Sequence, residues 1–250
     1  MRSNCFYILF LASFLKISAQ NPKIDTVYLS GGRTYIGTLV KGRLEGQGKM
    51  VDAQGEYEGC WKGGKQQGYG IAKYYSGEIY EGHWLGGLPE GKGTYHHHDG
   101  YVYEGSWKQG KPHGEGKMKW GNGDSFSGHF KYGKFDGHGK YVFSCGDQYD
   151  GEYKNGLKCG LGIYKWMEGE SFDGSWKENF QNGFGKYLWP DGSSYEGRWK
   201  MNEAHGKGTL KMEMGKEYKG EWKNGYWVSG EIKINPSKMR TSKQENIQKK

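Results

Sequence analysis

The chain has 250 residues, of which 46 are glycine and only 5 proline, and a formal net charge of +8. Glycine far exceeds its usual share of about 7%; aromatics reach 16%, yet the hydrophobic class as a whole stops at 34%. So few aliphatic side chains argue against the thick core of a three-layer α/β enzyme, and so many rings argue against disorder. What remains is a thin β architecture with rings packed over glycines.

Residues 1–20 carry Arg2, an apolar run from Cys5 to Leu15, and Ile17-Ser18-Ala19 ahead of Gln20. That run is too short to span a bilayer but suits the core of a signal peptide. The sequence therefore predicts a signal peptide or hydrophobic leader. Cleavage implies an exported or secreted protein; otherwise it is cytoplasmic or membrane-associated. Residues 21–34 read as an N-terminal capping strand, with Val27 and Leu29 at the inward positions that later copies repeat.

From Tyr35 a grid begins. Tyr57, Tyr80, Tyr103, Phe126, Tyr149, Phe172, Tyr195 and Tyr218 follow one another at intervals of 23 residues, and Tyr35 precedes the first by 22. With each aromatic counted as offset 0, offset 2 is Gly in every copy: Gly37, Gly59, Gly82, Gly105, Gly128, Gly151, Gly174, Gly197 and Gly220. Offset 4 is Trp61, Trp84, Trp107, Phe130, Tyr153, Trp176, Trp199 and Trp222, with Leu39 in the first copy. Offsets 11 and 13 are Gly in every complete copy, and offset 7 is Gly or Asn.

Each copy reads as a β-hairpin. The first strand is typified by Tyr103–Lys108, and the second starts near offset 12. Inward aromatics then stand at offsets 15 and 17, as in Tyr141 with Phe143 and Tyr187 with Trp189. This is the period-two pattern of a half-buried strand. Asn155-Gly156 and Asn224-Gly225 supply turn residues that tolerate positive φ. Glycines at offsets 2 and 13 share the aromatic face, so a ring from a neighbouring strand is expected to cover them. The opposite face alternates acids at offset 1 with Lys at offset 5, a solvated surface of mixed sign.

The expected fold is all-β: an elongated, twisted, solenoid-like single layer of antiparallel strands built from tandem 23-residue β-hairpins. At ~4.8 Å per strand its length is on the order of 85 Å. The array covers residues 35–234 in about nine copies. The last is degenerate, Tyr226 to Ile234 forming a closing strand of the kind a solenoid needs as a cap. Residues 235–250 read as a basic, disordered tail. Leader and tail carry +2 and +4 of the net charge, which leaves the array nearly neutral and weakly suited to nucleic acid.

The remaining chemistry is sparse. Cys60, Cys145 and Cys159 stand at unrelated offsets and read as free thiols, a Cys145–Cys159 bridge being the alternative. His96-His97-His98-Asp99 is the most tempting cluster. Alternation along a strand points His96 and His97 apart, however, and the sequence shows no further ligand to complete a tetrahedral set. No metal site, cofactor or catalytic residue is expected. Gly-x-Gly at offsets 11 and 13 has no helix after it, so it is not a dinucleotide fingerprint.

Tyr195-Glu196-Gly197-Arg198-Trp199 through Gly206-Lys207-Gly208-Thr209-Leu210 resembles the MORN (membrane occupation and recognition nexus) repeat, and the resemblance covers about residues 24–234. It implies an antiparallel single-sheet solenoid with a groove, lined here by the offset-0 and offset-4 rings from Tyr57 and Trp61 to Tyr218 and Trp222. It also implies a protein-interaction or scaffold role, with phospholipid binding proposed for some members. Phe130 and Tyr153 depart from the family's Trp. The expectation is a non-catalytic scaffold with a protein partner, monomeric or homodimeric, and the alternative is a module for a phospholipid or cell-envelope surface.

Overall fold

The structure is a computed structural model, and it describes residues 23–228. The leader expected at 1–20, the end of the closing strand beyond Val228 and the tail at 235–250 lie outside the described residues. Two compact units divide the chain, residues 23–121 and 122–228.

The first unit holds β1 (Ile24–Leu29), β2 (Arg33–Val40), β3 (Arg43–Val51), β4 (Gly55–Lys62), β5 (Lys65–Tyr74), β6 (Ile79–Leu85), β7 (Leu88–His96), β8 (Val102–Lys108) and β9 (Lys111–Lys119). The second holds β10 (Ser125–Lys131), β11 (Lys134–Val142), β12 (Gln148–Lys154), β13 (Leu157–Lys165), β14 (Ser171–Lys177), β15 (Phe180–Leu188), β16 (Ser194–Lys200), β17 (Glu203–Lys211), β18 (Glu217–Lys223) and β19 (Tyr226–Trp227). Within each unit, every strand pairs antiparallel with the next in chain order. No helix occurs among the described residues.

Hairpin turns follow from the sequence. Asn155 and Gly156 join β12 to β13 with φ of 51° and 87°. Both central residues are therefore left-handed, the two-residue turn whose twist matches the flanking strands. The second strand of each hairpin departs from expectation: β13 begins at offset 8, not near offset 12. Its register runs from Gly151↔Gly162 straight to Glu152↔Cys159, so β13 bulges outward by two residues. Gly160, at offset 11, takes φ 57° at that point. A bulge keeps the ladder going where a regular strand would have ended.

The core is one ring deep. Tyr149 turns back along its own strand over Gly151 and across to Gly162 on β13. A Cβ at Gly151 would lie 2.7 Å from the Tyr149 hydroxyl and 2.5 Å from the Gly162 Cα. The ring over the offset-2 glycine thus belongs to the same strand, not to a neighbour as the sequence suggested. Only the offset-13 glycine is covered from the adjacent strand. The Tyr149 hydroxyl donates to the Glu152 carbonyl at 3.2 Å, and Tyr57, Tyr80, Tyr103 and Tyr195 make the corresponding bond.

Each such ring is then clamped between two others. Tyr57 meets Trp61 of its own copy and Trp84 of the next, both edge-on at 5.1 Å. Tyr195 sits in the same way between Trp199 and Trp222. The tryptophans also tie successive copies together, because each indole N–H donates to the offset-13 glycine carbonyl of the preceding copy. Trp84 bonds Gly70 O at 3.1 Å, Trp176 bonds Gly162 O at 2.9 Å and Trp199 bonds Gly185 O at 3.0 Å. Phe130 and Tyr153 have no indole N–H, so their copies lack the group that makes this bond.

Candidate interaction surface

The structure removes the offset-0 and offset-4 aromatics from the list of ligand-contacting residues. From Tyr57 through Trp222 they are buried, none more than 7% exposed except Tyr218, which is half-buried. Burial pushes the Tyr103 phenol up to about 12 and raises those of Tyr57, Tyr149 and Tyr195 well above the ordinary range. These rings form the core and do not line an open groove. The structural glycines from Gly59 to Gly220 lie directly beneath or beside them, Gly128 and Gly220 being half-buried, and the backbone of Gly197 and Gly220 reaches the opposite face.

The opposite face is exposed to solvent. Over β15 to β18 it forms an open concavity of about 850 Å³, lined by Phe184, Lys186, Glu196, Lys207, Thr209, Lys211, Glu217, Lys219 and Glu221. Alternation along the strands sends all of these away from the rings. Strand register sets the charges in rows: Lys186 lies opposite Glu196, Glu196 opposite Thr209, and Thr209 opposite Lys219. Phe184 stands at the rim, 58% exposed, and Leu161 on β13 is 70% exposed. Residues at offsets 12 and 14 of the second strands and offsets 1 and 3 of the first strands contribute to this surface. Their exposure was legible from the period, but the apolar anchors Leu161 and Phe184 were not singled out.

A second set of functional groups gathers along the turns that follow each second strand. Asp124 accepts the Ser144 amide at 2.7 Å and the Tyr141 hydroxyl at 2.8 Å, which holds its carboxyl below the usual range. Asp147, one copy later, accepts the Met167 amide and the Tyr164 hydroxyl at 2.9 and 2.8 Å. In these two copies the acid two residues before the offset-0 aromatic is thus a strap to the following copy. In the first unit this position is Glu78, which meets histidines. The Ser76 hydroxyl and the His98 ring hold its carboxyl down at about 2. His96 is exposed at the end of β7, while His97 stacks on Tyr101 at 4.3 Å, so the two do point apart.

Lys158 is a further group that the sequence did not flag. Its ammonium lies over Tyr149, Tyr164 and Trp176 at 5.1, 4.6 and 4.8 Å. Burial pushes its pKa down to about 8. Cys60, Cys145 and Cys159 form no disulfide: Cys60 is buried and accepts from Gln47 Nε2 at 3.0 Å, Cys145 is exposed and Cys159 half-buried.

Among curated proteins, none matches the chain. Among solved structures, the TCP10 domain of Danio rerio CPAP is 11% identical with a TM-score of 0.45, over 79% of this chain and 94% of that one. The SAS-4 TCP domain of Drosophila melanogaster, solved in complex with a proline-rich motif of Ana2, is 13% identical with a TM-score of 0.36, over 77% and 99%. The MORN repeat profile matches nine consecutive segments: 35–56, 57–79, 80–100, 103–125, 126–148, 149–171, 172–194, 195–216 and 218–231. With the repeat matched across most of its length and its rings and glycines packed as described, the chain belongs to the MORN repeat family.

Proposed function

We propose that this MORN repeat protein is a non-catalytic scaffold that binds another protein through the outer face of its second unit. One observation carries the reading. The repeat's own aromatics are consumed by the core, so the exposed face over β15–β18, with Phe184 as apolar anchor and rows of alternating charge, is what is left for recognition. Four lysines and three glutamates line that concavity. Interleaved signs suit a complementary protein surface, where charge arrangement gives specificity. An anionic bilayer favours a basic patch instead.

The test is cross-linking capture from the source cells, run beside sedimentation with anionic phospholipid vesicles. The expected result is a protein partner retained at moderate salt, lost in Phe184→Asp/Lys207→Glu and kept after deletion of residues 236–250. Salt-sensitive sedimentation of the tail-less chain with vesicles, and no protein recovered, would replace this reading with that of a phospholipid surface module.

A further inference from the structure

The turn edge of the first unit carries an arrangement that the scaffold reading does not use. Glu78 lies in the turn between β5 and β6; His97, His98 and Asp99 lie in the turn between β7 and β8. In two later copies the acid at the Glu78 position, Asp124 and Asp147, is spent on the next copy's backbone amide and tyrosine. Here the tyrosine in question, Tyr95, is hydrogen-bonded to the Tyr101 hydroxyl instead. Glu78, longer by one methylene, reaches imidazole nitrogens. Its Oε1 lies 2.9 Å from His98 Nδ1 and 4.0 Å from His97 Nε2.

We propose that Glu78, His97 and His98 bind a single divalent transition-metal ion of the Zn²⁺ type. One ligand atom from each of the three residues lies within 4.8 Å of the other two. A tetrahedral ion with bonds of about 2.0–2.1 Å holds its ligands roughly 3.4 Å apart. The two distances to Glu78 Oε1 bracket that value, and the two imidazole nitrogens lie within 4.8 Å of each other, so side-chain rotation in the turns is what closes the set. Two imidazoles and a carboxylate form a borderline donor set that favours Zn²⁺, Co²⁺, Ni²⁺ or Cu²⁺ over Mg²⁺ or Ca²⁺.

The surroundings are those a bound ion requires. Asp99 stands behind both rings, with Oδ2 at 3.4 Å from His97 Nδ1 and Oδ1 at 3.1 Å from His98 Nε2. A carboxylate on the far nitrogen fixes the ring and the tautomer that presents the other nitrogen to metal. The Asp99 amide donates to His97 Nδ1 at 3.2 Å, a bond that favours the opposite tautomer. Loading therefore exchanges that bond for one from a protonated Nδ1 to Asp99 Oδ2, 3.4 Å away, which turns the Nε2 lone pair to the ion. Stacking on Tyr101 keeps His97 in place, while the His98 side chain is 49% exposed and leaves the fourth position open to water. An ion there clips the turns of two adjacent copies together.

The experiment uses the full chain without a polyhistidine tag. Zn²⁺ is titrated by calorimetry, and Co²⁺ is followed by its visible d–d absorption. We expect one equivalent per chain, a Co²⁺ band of tetrahedral or five-coordinate intensity, and a higher melting temperature with Zn²⁺. Glu78→Gln, at a half-buried side chain, and His98→Gln, at an exposed one, should each weaken binding by about tenfold or more. His138→Gln, in the second unit, should leave it unchanged. Unfolding of the metal-free variants at the wild-type midpoint separates lost ligation from lost fold. Absence of binding up to millimolar Zn²⁺, or binding that Glu78→Gln and His98→Gln leave intact, would overturn the site.

Discussion

Adding one methyl group at Gly151 tests the whole account of the core. A Cβ there would lie 2.5 Å from the Gly162 Cα, 2.7 Å from the Tyr149 hydroxyl and 2.8 Å from the Leu161 carbonyl oxygen. Ordinary contact needs 3.4 Å or more, so space has to open on two sides at once. Gly162 and Leu161 are held in the β12–β13 ladder and cannot retreat without breaking it. The Tyr149 ring must lift instead, away from the clamp of Tyr153 and Trp176. Overpacking of this kind costs about 1–3 kcal/mol. Full expulsion of the ring approaches the ~3–5 kcal/mol of a large aromatic truncation. The lower chain entropy of alanine in the unfolded state returns about 0.4–1 kcal/mol. Gly151→Ala should therefore destabilise by about 2–3 kcal/mol, read from urea or guanidinium midpoints at unchanged slope. Ser127→Ala, at an exposed strand position, should shift the midpoint by no more than about 0.5 kcal/mol. Because both changes act on one ring, Tyr149→Ala and Gly151→Ala together should cost clearly less than their sum. A wild-type midpoint for Gly151→Ala, or strict additivity with Tyr149→Ala, would refute the ring-over-glycine packing.

Three further outcomes follow from other contacts. Trp199→Phe leaves the Gly185 carbonyl without its indole donor at a buried position, and should cost about 1–3 kcal/mol in the same denaturation assay. Lys158 has its folded-state pKa depressed, so between about pH 8 and 10 the unfolded chain holds more protons and stability should rise with pH. Above pH 10 the sign reverses, because the buried phenols stay protonated when folded and ionise when unfolded. Lys158→Met should abolish the rise and keep the fall, as followed by midpoints across a pH series. Finally, Phe184→Asp should abolish partner capture with a midpoint within about 0.5 kcal/mol of wild type, since its ring faces solvent.

Much of this protein was readable before its structure. A spacing of 23 residues held by Tyr57 through Tyr218 predicts the hairpins, the side each residue faces and the chain-order pairing, because strand periodicity and turn chemistry are local properties. The lack of a disulfide among Cys60, Cys145 and Cys159 and the absence of helix among the described residues agree with the sequence reading as well. Other features needed the tertiary structure. That Tyr149 folds back over Gly151 is a matter of rotamer, and alternation alone suggested a ring from the neighbouring strand. The bulge at Gly160 depends on the register between β12 and β13, which the spacing of glycines does not reveal. Trp176 reaching the Gly162 carbonyl links successive copies, so it depends on how one hairpin stacks on the next. The same holds for Glu78. Nothing in the sequence places it beside His97 and His98, twenty residues away, and only the pairing of β5 through β8 brings two consecutive turns to one edge. Side-chain facing is fixed locally, whereas contacts between copies are fixed by hydrogen-bond register and by which rotamer a packed ring is left to occupy.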